Sequence, residues 1–115
     1  MSFDIIVLKP TYLAATDLSE IDDILPIGSS NFVTQLFNSV FPGCWNEGFK
    51  SPEGFAVEAT LNGEPVSSVH LTLRYGSTWS STCETQFISV LSGLCRSIES
   101  LAFAVSDNSL LAPHA

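Results

Sequence analysis

The feature that most constrains the fold of this chain is a turn signal between two alternating segments, residues 55–61 and 66–75. The signal is Asn62-Gly63, which favours a tight β-hairpin because both residues tolerate the positive φ angles of such a turn. In each segment, every second residue is apolar. These residues are Phe55, Val57, Ala59 and Leu61 before the turn, and Val69, Leu71, Leu73 and Tyr75 after it. The sequence therefore predicts an antiparallel hairpin with one apolar and one polar face.

Two other segments carry apolar residues at helical spacing. The first begins after the capping residues of 28–31 and is ended by Pro42-Gly43; its apolar positions are Phe32, Val33, Leu36, Phe37, Val40 and Phe41. The second opens with a capping-box pattern, Ser81-x-x-Glu84. Its apolar positions are Cys83, Phe87, Val90, Leu91, Leu94 and Ile98. The spacing predicts one amphipathic helix on each side of the hairpin in sequence.

Short strands are predicted at residues 3–8 and 101–105. Residues 5–8 are all apolar, which is typical of a central strand covered on both faces. The element order is then β-α-β-β-α-β. This order predicts a ferredoxin-like α+β fold, with a four-stranded antiparallel sheet and both helices on one face. At 115 residues, we expect one domain spanning 1–115.

The charge balance narrows the classes of partner. The chain has 12 Asp+Glu against 4 Lys+Arg, a formal net charge of −8. Nucleic acids and anionic membranes both require a basic surface, so we expect neither as a partner. The charge suits a basic protein partner, or it serves solubility alone. Four carboxylates cluster at Asp17, Glu20, Asp22 and Asp23, where Asp17-x-x-Glu20 is expected to cap one or two helical turns.

The cysteines indicate a reducing compartment. Cys44, Cys83 and Cys95 are an odd set with no Cys-x-x-Cys pair and no histidine at zinc-ligand spacing. On one helix, Cys83 and Cys95 would lie roughly 18 Å apart, too far for a disulfide. The first residues contain no basic segment typical of a secretory signal, and no apolar run approaches the roughly 20 residues of a membrane span. We therefore expect buried free thiols and a cytoplasmic location.

His70 is the one residue placed to transfer protons, on the polar face of the predicted hairpin. Glu58 opposite His70 or Arg74 would supply an orienting partner, but an ordinary cross-strand polar pair explains the same residues and is favoured over an enzyme. The chain contains no GxSxG, GxGxxG, Walker lysine or HExxH pattern. We expect no catalytic activity, no cofactor and no metal site.

The outer face of the sheet is predicted to be uncovered. We expect it to present Asp4, Ile6, Leu8, Glu58, Thr60, His70, Thr72, Arg74, Ala102 and Ala104. A partly apolar patch of this kind marks an interface. Trp45 is either an aromatic anchor for a partner or a loop anchor that closes the end of the core.

Several segments resemble small acidic bacterial immunity proteins, which are encoded beside secreted or contact-delivered toxins. They are the opening strand SFDIIV (2–7), the helix exit FPG (41–43), the strand GFAVE (54–58) and the ending FAVSD (103–107). The resemblance implies a cytoplasmic protein that binds a cognate toxin and occludes its active site. Toxins that act on nucleic acids or nucleotides have cationic sites, which an acidic inhibitor would complement.

The partner-binding residues are predicted from the surface alone. They are Asp17, Glu20, Asp22 and Asp23 as electrostatic contacts, Trp45 as an aromatic anchor, and Glu58, His70, Thr72 and Arg74 on the sheet. The alternative is a ferredoxin-like module that binds a small ligand or dimerises, with the sheet faces paired or forming a pocket. A homodimer remains open under either function.

Overall fold

The computed structural model describes residues 2–11, 17–21, 23–45, 48–50, 55–63, 65–76 and 80–112. Within these residues the chain forms seven strands and two α-helices. In chain order they are β1 (Ser2–Pro10), β2 (Ile24–Leu25), α1 (Ser30–Val40), β3 (Phe49–Lys50), β4 (Ala56–Asn62), β5 (Ser68–Arg74), α2 (Ser81–Ser97), β6 (Leu101–Ala104) and β7 (Leu110–Ala112).

The sheet is antiparallel throughout and runs in the order β3-β4-β5-β1-β6-β7, while β2 pairs with the end of β1. The predicted α+β class is therefore confirmed, with β1 in a central position. The prediction of four strands is wrong, because β2, β3 and β7 widen the sheet. These strands have only two or three residues each, too few for an alternating pattern to be recognised in the sequence.

The predicted hairpin is present with the predicted faces, but its turn is wider than the tight Asn62-Gly63 turn expected, because Asn62 is the last residue of β4 and pairs with Ser68. β4 and β5 pair without interruption from Ala56 opposite Arg74 to Asn62 opposite Ser68. At the turn, Gly63 has a φ of +90°, and a Cβ there would lie 3.1 Å from the carbonyl oxygen of Pro65. The turn therefore requires glycine, since both its backbone angle and its surroundings exclude a side chain.

Both helices begin at a serine cap. The Ser29 hydroxyl accepts a hydrogen bond from the Phe32 N–H at 3.2 Å, and the Ser80 hydroxyl accepts one from the Cys83 N–H at 3.3 Å. The cap of α2 is thus Ser80, one residue before the predicted Ser81. Val90, predicted in the apolar stripe, is 43% exposed because it lies about 100° around the helix from the buried Leu91. Neither described helix has the length and apolarity to cross a membrane.

The main core lies between the two helices and one face of the sheet. It includes Ile5, Val7, Val57, Val69, Leu71 and Leu73 from the strands, and Val33, Phe37, Phe87 and Leu91 from the helices. Aromatic rings meet within it, with the Phe41 and Phe87 centroids 5.9 Å apart. Both helices therefore bury their apolar sides against the same face of the sheet, and the other face is not part of this core.

The three cysteines are buried and form no disulfide with one another, as predicted. Burial in apolar surroundings raises the pKa of the Cys44 thiol to about 11 and that of the Cys95 thiol to about 12. Because the thiolate is the reactive form, both side chains behave as small apolar groups of the core.

Candidate binding surface

The outer face of the sheet carries the polar residues that the alternation predicts. Strand register places Ile6 opposite His70 on one side and opposite Phe103 on the other. Consequently Leu101 and Phe103 lie on this face, whereas Ala102 points into the main core. The prediction that Ala102 and Ala104 face outward is wrong by one residue, and a one-residue change of register moves every side chain to the opposite face.

One half of the outer face is covered, contrary to the prediction. Leu8, Leu101 and Phe103 form a second buried cluster, and Leu18 and Ile21 pack against it. Both covering residues belong to a single 3-10 turn at Leu18–Glu20 and its cap. Because residues three apart eclipse each other in such a turn, Leu18 and Ile21 point to the same side. The acidic segment therefore also serves as an apolar cover.

The other half of the face is open and carries hydrogen-bonded polar side chains. His70 Nε2 lies 3.4 Å from Asp4 Oδ1, and these side chains are 49% and 52% exposed. The Thr72 hydroxyl donates to the same Asp4 oxygen at 3.4 Å. Asp4 thus connects β1 to β5, and the partner of His70 is Asp4 rather than Glu58.

Glu58 instead holds Arg74. Arg74 Nε donates to Glu58 Oε1 at 3.0 Å, and its terminal nitrogen donates to Oε2 at 3.3 Å. Glu58 lies directly opposite Thr72, so it reaches Arg74 diagonally across the hairpin. The hydrogen bonds that Arg74 donates to Glu58 raise the pKa of the guanidinium above its usual value. This two-bond fork fixes the orientation of both side chains while leaving them half exposed.

Two carboxylates at the covered end are fixed by matching Asp-x-Ser turns. Asp17 Oδ1 accepts from the backbone N–H of Ser19 at 2.9 Å and from its hydroxyl at 2.6 Å. Asp107 Oδ1 accepts likewise from Ser109, at 3.0 and 2.7 Å. The serine hydrogen bonds lower the pKa of both carboxyls, with repulsion between the two acting in the opposite direction on Asp17.

These two turns lie side by side. Asp17 forms a β-bridge with Ser109, and the Leu18 N–H donates to the Asn108 carbonyl oxygen at 2.8 Å. Sequence reasoning missed Asp107 as a surface residue near Asp17. The signal was available in the Asp-x-Ser pattern that occurs at 17–19 and again at 107–109.

Glu20 and Asp23 are exposed on the acidic segment, as predicted, and Asp22 lies outside the described residues. Large apolar side chains are exposed in the segment that follows. Ile24 is 41%, Leu25 43% and Phe32 48% exposed. The structure therefore places apolar surface beside the carboxylates, which the sequence analysis did not predict.

Trp45 has contacts within the chain that suit a loop anchor. Its indole N–H donates to the Thr34 carbonyl oxygen at 2.8 Å, and its ring packs edge-on against Phe37 at a centroid distance of 5.8 Å. The side chain is half buried against the main core. These contacts account for Trp45 without a partner, and its role as a partner anchor stays a prediction.

Two adjoining cavities lie on the helix side of the sheet, beside α2 and β7. The larger, about 510 Å³, is lined by Glu84, Thr85, Ile88, Ser89, Ser92, Arg96, Leu110 and Leu111. The smaller, about 280 Å³, is lined by Phe3, Ile5, Leu73, Tyr75, Glu84, Phe87, Ile88 and Leu111. Three residues, Glu84, Ile88 and Leu111, line both, so the cavities form one cleft.

No metal-binding arrangement of three or more His, Cys, Asp or Glu side chains occurs in the described part of the chain. Comparison of the sequence and structure with protein-family models, curated proteins and solved structures found no match.

Proposed function

We propose that this chain is a non-enzymatic immunity protein that binds a cognate bacterial toxin and occludes its active site. The supporting observation is the open half of the outer sheet face. There Asp4, Glu58, His70 and Arg74 are about half exposed and Thr72 is partly exposed; Arg74 is hydrogen-bonded to Glu58, and Asp4 contacts both His70 and Thr72. Side chains already held in place lose less conformational entropy when a partner binds. Such a face suits recognition of another protein.

The charges around this face favour a cationic partner. Asp17 and Asp107 lie together at the covered end, and their lowered pKa values keep both ionised at neutral pH. On the open half, the charge of Arg74 is already paired with that of Glu58, so the unbalanced negative charge comes from Asp4 and the acidic segment. Opposite charge on a partner would raise the association rate and reject acidic competitors.

The exposed apolar residues supply the apolar part of an interface, which charged residues do not provide. Protein interfaces combine an apolar centre with a polar rim. Ile24 and Leu25 follow Asp23 directly, and the Phe32 ring lies over Gly28, where an added Cβ would come within 2.8 Å of it. Since Leu25 and Gly28 are three positions apart in the chain, their Cα atoms lie within about 11 Å of each other. These side chains are placed to form the apolar part of the interface.

We also assign the centre of the sheet to the ferredoxin-like arrangement. Its four longest strands, β4, β5, β1 and β6, are adjacent in that order and antiparallel, and the helices follow β1 and β5 in the chain. This is the connectivity of a β-α-β-β-α-β unit. The short strands β2, β3 and β7 are additions at its margins.

Affinity capture from the native host, followed by work with the purified partner, tests the immunity function. We expect one stoichiometric protein that arrests bacterial growth when produced alone and is harmless when produced together with this chain. A partner without toxicity, or recovery of this chain alone, would contradict the function.

Charge reversal then tests the surface. Asp17→Lys with Asp107→Lys should lower the association rate constant about tenfold at low salt and reduce its salt dependence, because the steering charge is lost. Glu84→Lys with Glu99→Lys makes the same change in net charge away from this face and serves as the control. Equal effects of the two pairs would show that only total charge matters and would remove Asp17 and Asp107 from the interface.

A second function, binding of a small ligand by a regulatory module, is favoured by one observation, the cleft beside α2. Its two parts of about 510 and 280 Å³ are in the size range of small-molecule sites. A dimer formed through the sheet would belong to the same alternative, and sedimentation at a series of protein concentrations distinguishes it from a monomer.

A further inference from the structure

The smaller part of the cleft combines apolar walls with one charge. Its lining includes the rings of Phe3, Tyr75 and Phe87 and the aliphatic side chains of Ile5, Leu73, Ile88 and Leu111. Among the described residues of that lining, Glu84 is the single charged one, and it is exposed on the first turn of α2. An apolar cavity with one placed carboxylate and aromatic faces is suited to an organic cation.

Three charge effects act on a ligand in this cavity. The N-terminus of α2 is equivalent to about half a positive charge, which the full charge of the Glu84 carboxylate exceeds. Arg96, which lines the far end of the larger cavity, lies twelve residues along α2, about 18 Å away. That distance is beyond the screening length of about 8 Å at physiological salt. The net charge of −8 also favours cations over anions near the protein.

The volume limits the size of the ligand. A cavity of about 280 Å³ is at the small end of ligand sites and so suits a small molecule. We propose that this cavity binds a small organic amine, with an apolar body among Phe3, Tyr75 and Leu111 and a positively charged nitrogen at the Glu84 carboxylate. The site lies on the helix side of the sheet, so this binding does not depend on the immunity function.

Titration of the full chain with three probes of similar size, followed by NMR, tests the amine site. The probes are phenethylamine, phenethyl alcohol and phenylacetate. We expect phenethylamine to bind about fivefold more tightly than the alcohol, since an exposed ion pair contributes up to about that factor, and phenylacetate to bind most weakly. The saturable shifts should fall on Ile88, Leu111 and their neighbours in α2 and β7.

Two variants with the same change in net charge separate local from general electrostatics. Glu84→Gln should bring the affinity for phenethylamine to that for phenethyl alcohol. Glu99→Gln, which changes a carboxylate outside the cleft lining, should leave the fivefold preference intact. Any of four results would overturn the site. The unaltered protein could bind amine and alcohol equally, or Glu84→Gln could keep the preference for the amine. The chemical shift changes could lie on the outer sheet face, or no binding could occur at millimolar concentrations.

Discussion

The two faces of the same strands have opposite characters. On β5, Leu71 is fully buried in the core beneath the helices, whereas the next residue, Thr72, is partly exposed on the outer face. The helix side is closed by two amphipathic helices, but the outer face is closed over one half only, by Leu18 and Ile21. Alternation along a strand thus allows adjacent residues to serve stability and recognition separately.

The largest expected difference between the faces is in stability. Leu71→Ala should lower the free energy of unfolding by about 2–5 kcal/mol, because it leaves a cavity in a closed core. Thr72→Ala, one residue away, should change it by no more than about 0.5 kcal/mol. Urea unfolding followed by circular dichroism measures both. Similar losses from the two variants would mean that the outer face is also part of a closed core.

Thiol reactivity tests how well the helix side is closed. The pKa of Cys44 rises from 9.0 to about 11 on burial, which lowers the thiolate fraction at pH 8 about a hundredfold. Labelling of Cys44 by a disulfide reagent should therefore be at least a hundredfold slower than in the unfolded chain. The measurement uses a chain with Cys83→Ala and Cys95→Ala, so that Cys44 is the one thiol labelled. Because the pKa of Cys44 is higher in the folded chain than in the unfolded chain, this thiol stabilises the fold below pH 9. That contribution is lost as the pH rises towards 11. Fast labelling under native conditions would contradict a closed core.

The cover over the outer face should contribute a smaller amount. Leu18→Ala removes part of a half-buried side chain over Leu8, Leu101 and Phe103 and should cost about 1 kcal/mol. It should also increase binding of an apolar dye, because the cluster beneath becomes accessible. Ile24→Ala, at an exposed position, is the control and should cost less than about 0.5 kcal/mol. Equal effects would show that Leu18 covers nothing.

The smallest effect concerns acid stability. The folded pKa values of Asp17 and Asp107 lie below 3.8, chiefly because of the hydrogen bonds from the Ser19 and Ser109 hydroxyls. A carboxyl whose pKa is lower in the folded chain stabilises the fold at pH values above its pKa in the unfolded chain. That contribution is lost as the pH falls through its pKa in the folded chain. Asp107→Asn should therefore flatten the decline of the melting temperature below about pH 4. An unchanged decline would mean that the Asp107–Ser109 bonds do not persist in solution.

Much of the fold could be predicted because its signals are local. Asn62-Gly63, the two helical stripes and the alternation of β4 and β5 each depend on neighbours within a few residues. Strands of two or three residues were missed, since they carry no periodicity. The cap of α2 was misplaced by one residue because Ser80 and Ser81 are equivalent in sequence, and only the hydrogen bond to the Cys83 N–H distinguishes them.

The candidate surface was predicted less completely. The polar residues of β4 and β5 follow from alternation. The sequence left open whether Glu58 lies opposite His70 or Arg74, and only the register showed that it lies opposite Thr72 and reaches Arg74 diagonally. The partner of His70 did not follow, because Asp4 is 66 positions away in the sequence and meets it only through the pairing of β1 with β5. The position of Asp107 beside Asp17 could not be predicted either, because it depends on a β-bridge between distant segments of the chain.

The sequence by itself determined the acidic balance, the hairpin with the two faces of β4 and β5, and both amphipathic helices, since these depend on composition and on nearest neighbours. Only the tertiary structure decided that Leu18 and Ile21 close half of the outer face and that two Asp-x-Ser turns meet beside it. The cleft lined by Glu84 and Leu111 was likewise decided by the tertiary structure alone. Each of these features requires segments distant in the chain to come into contact, and such contacts arise from the packing of the whole domain.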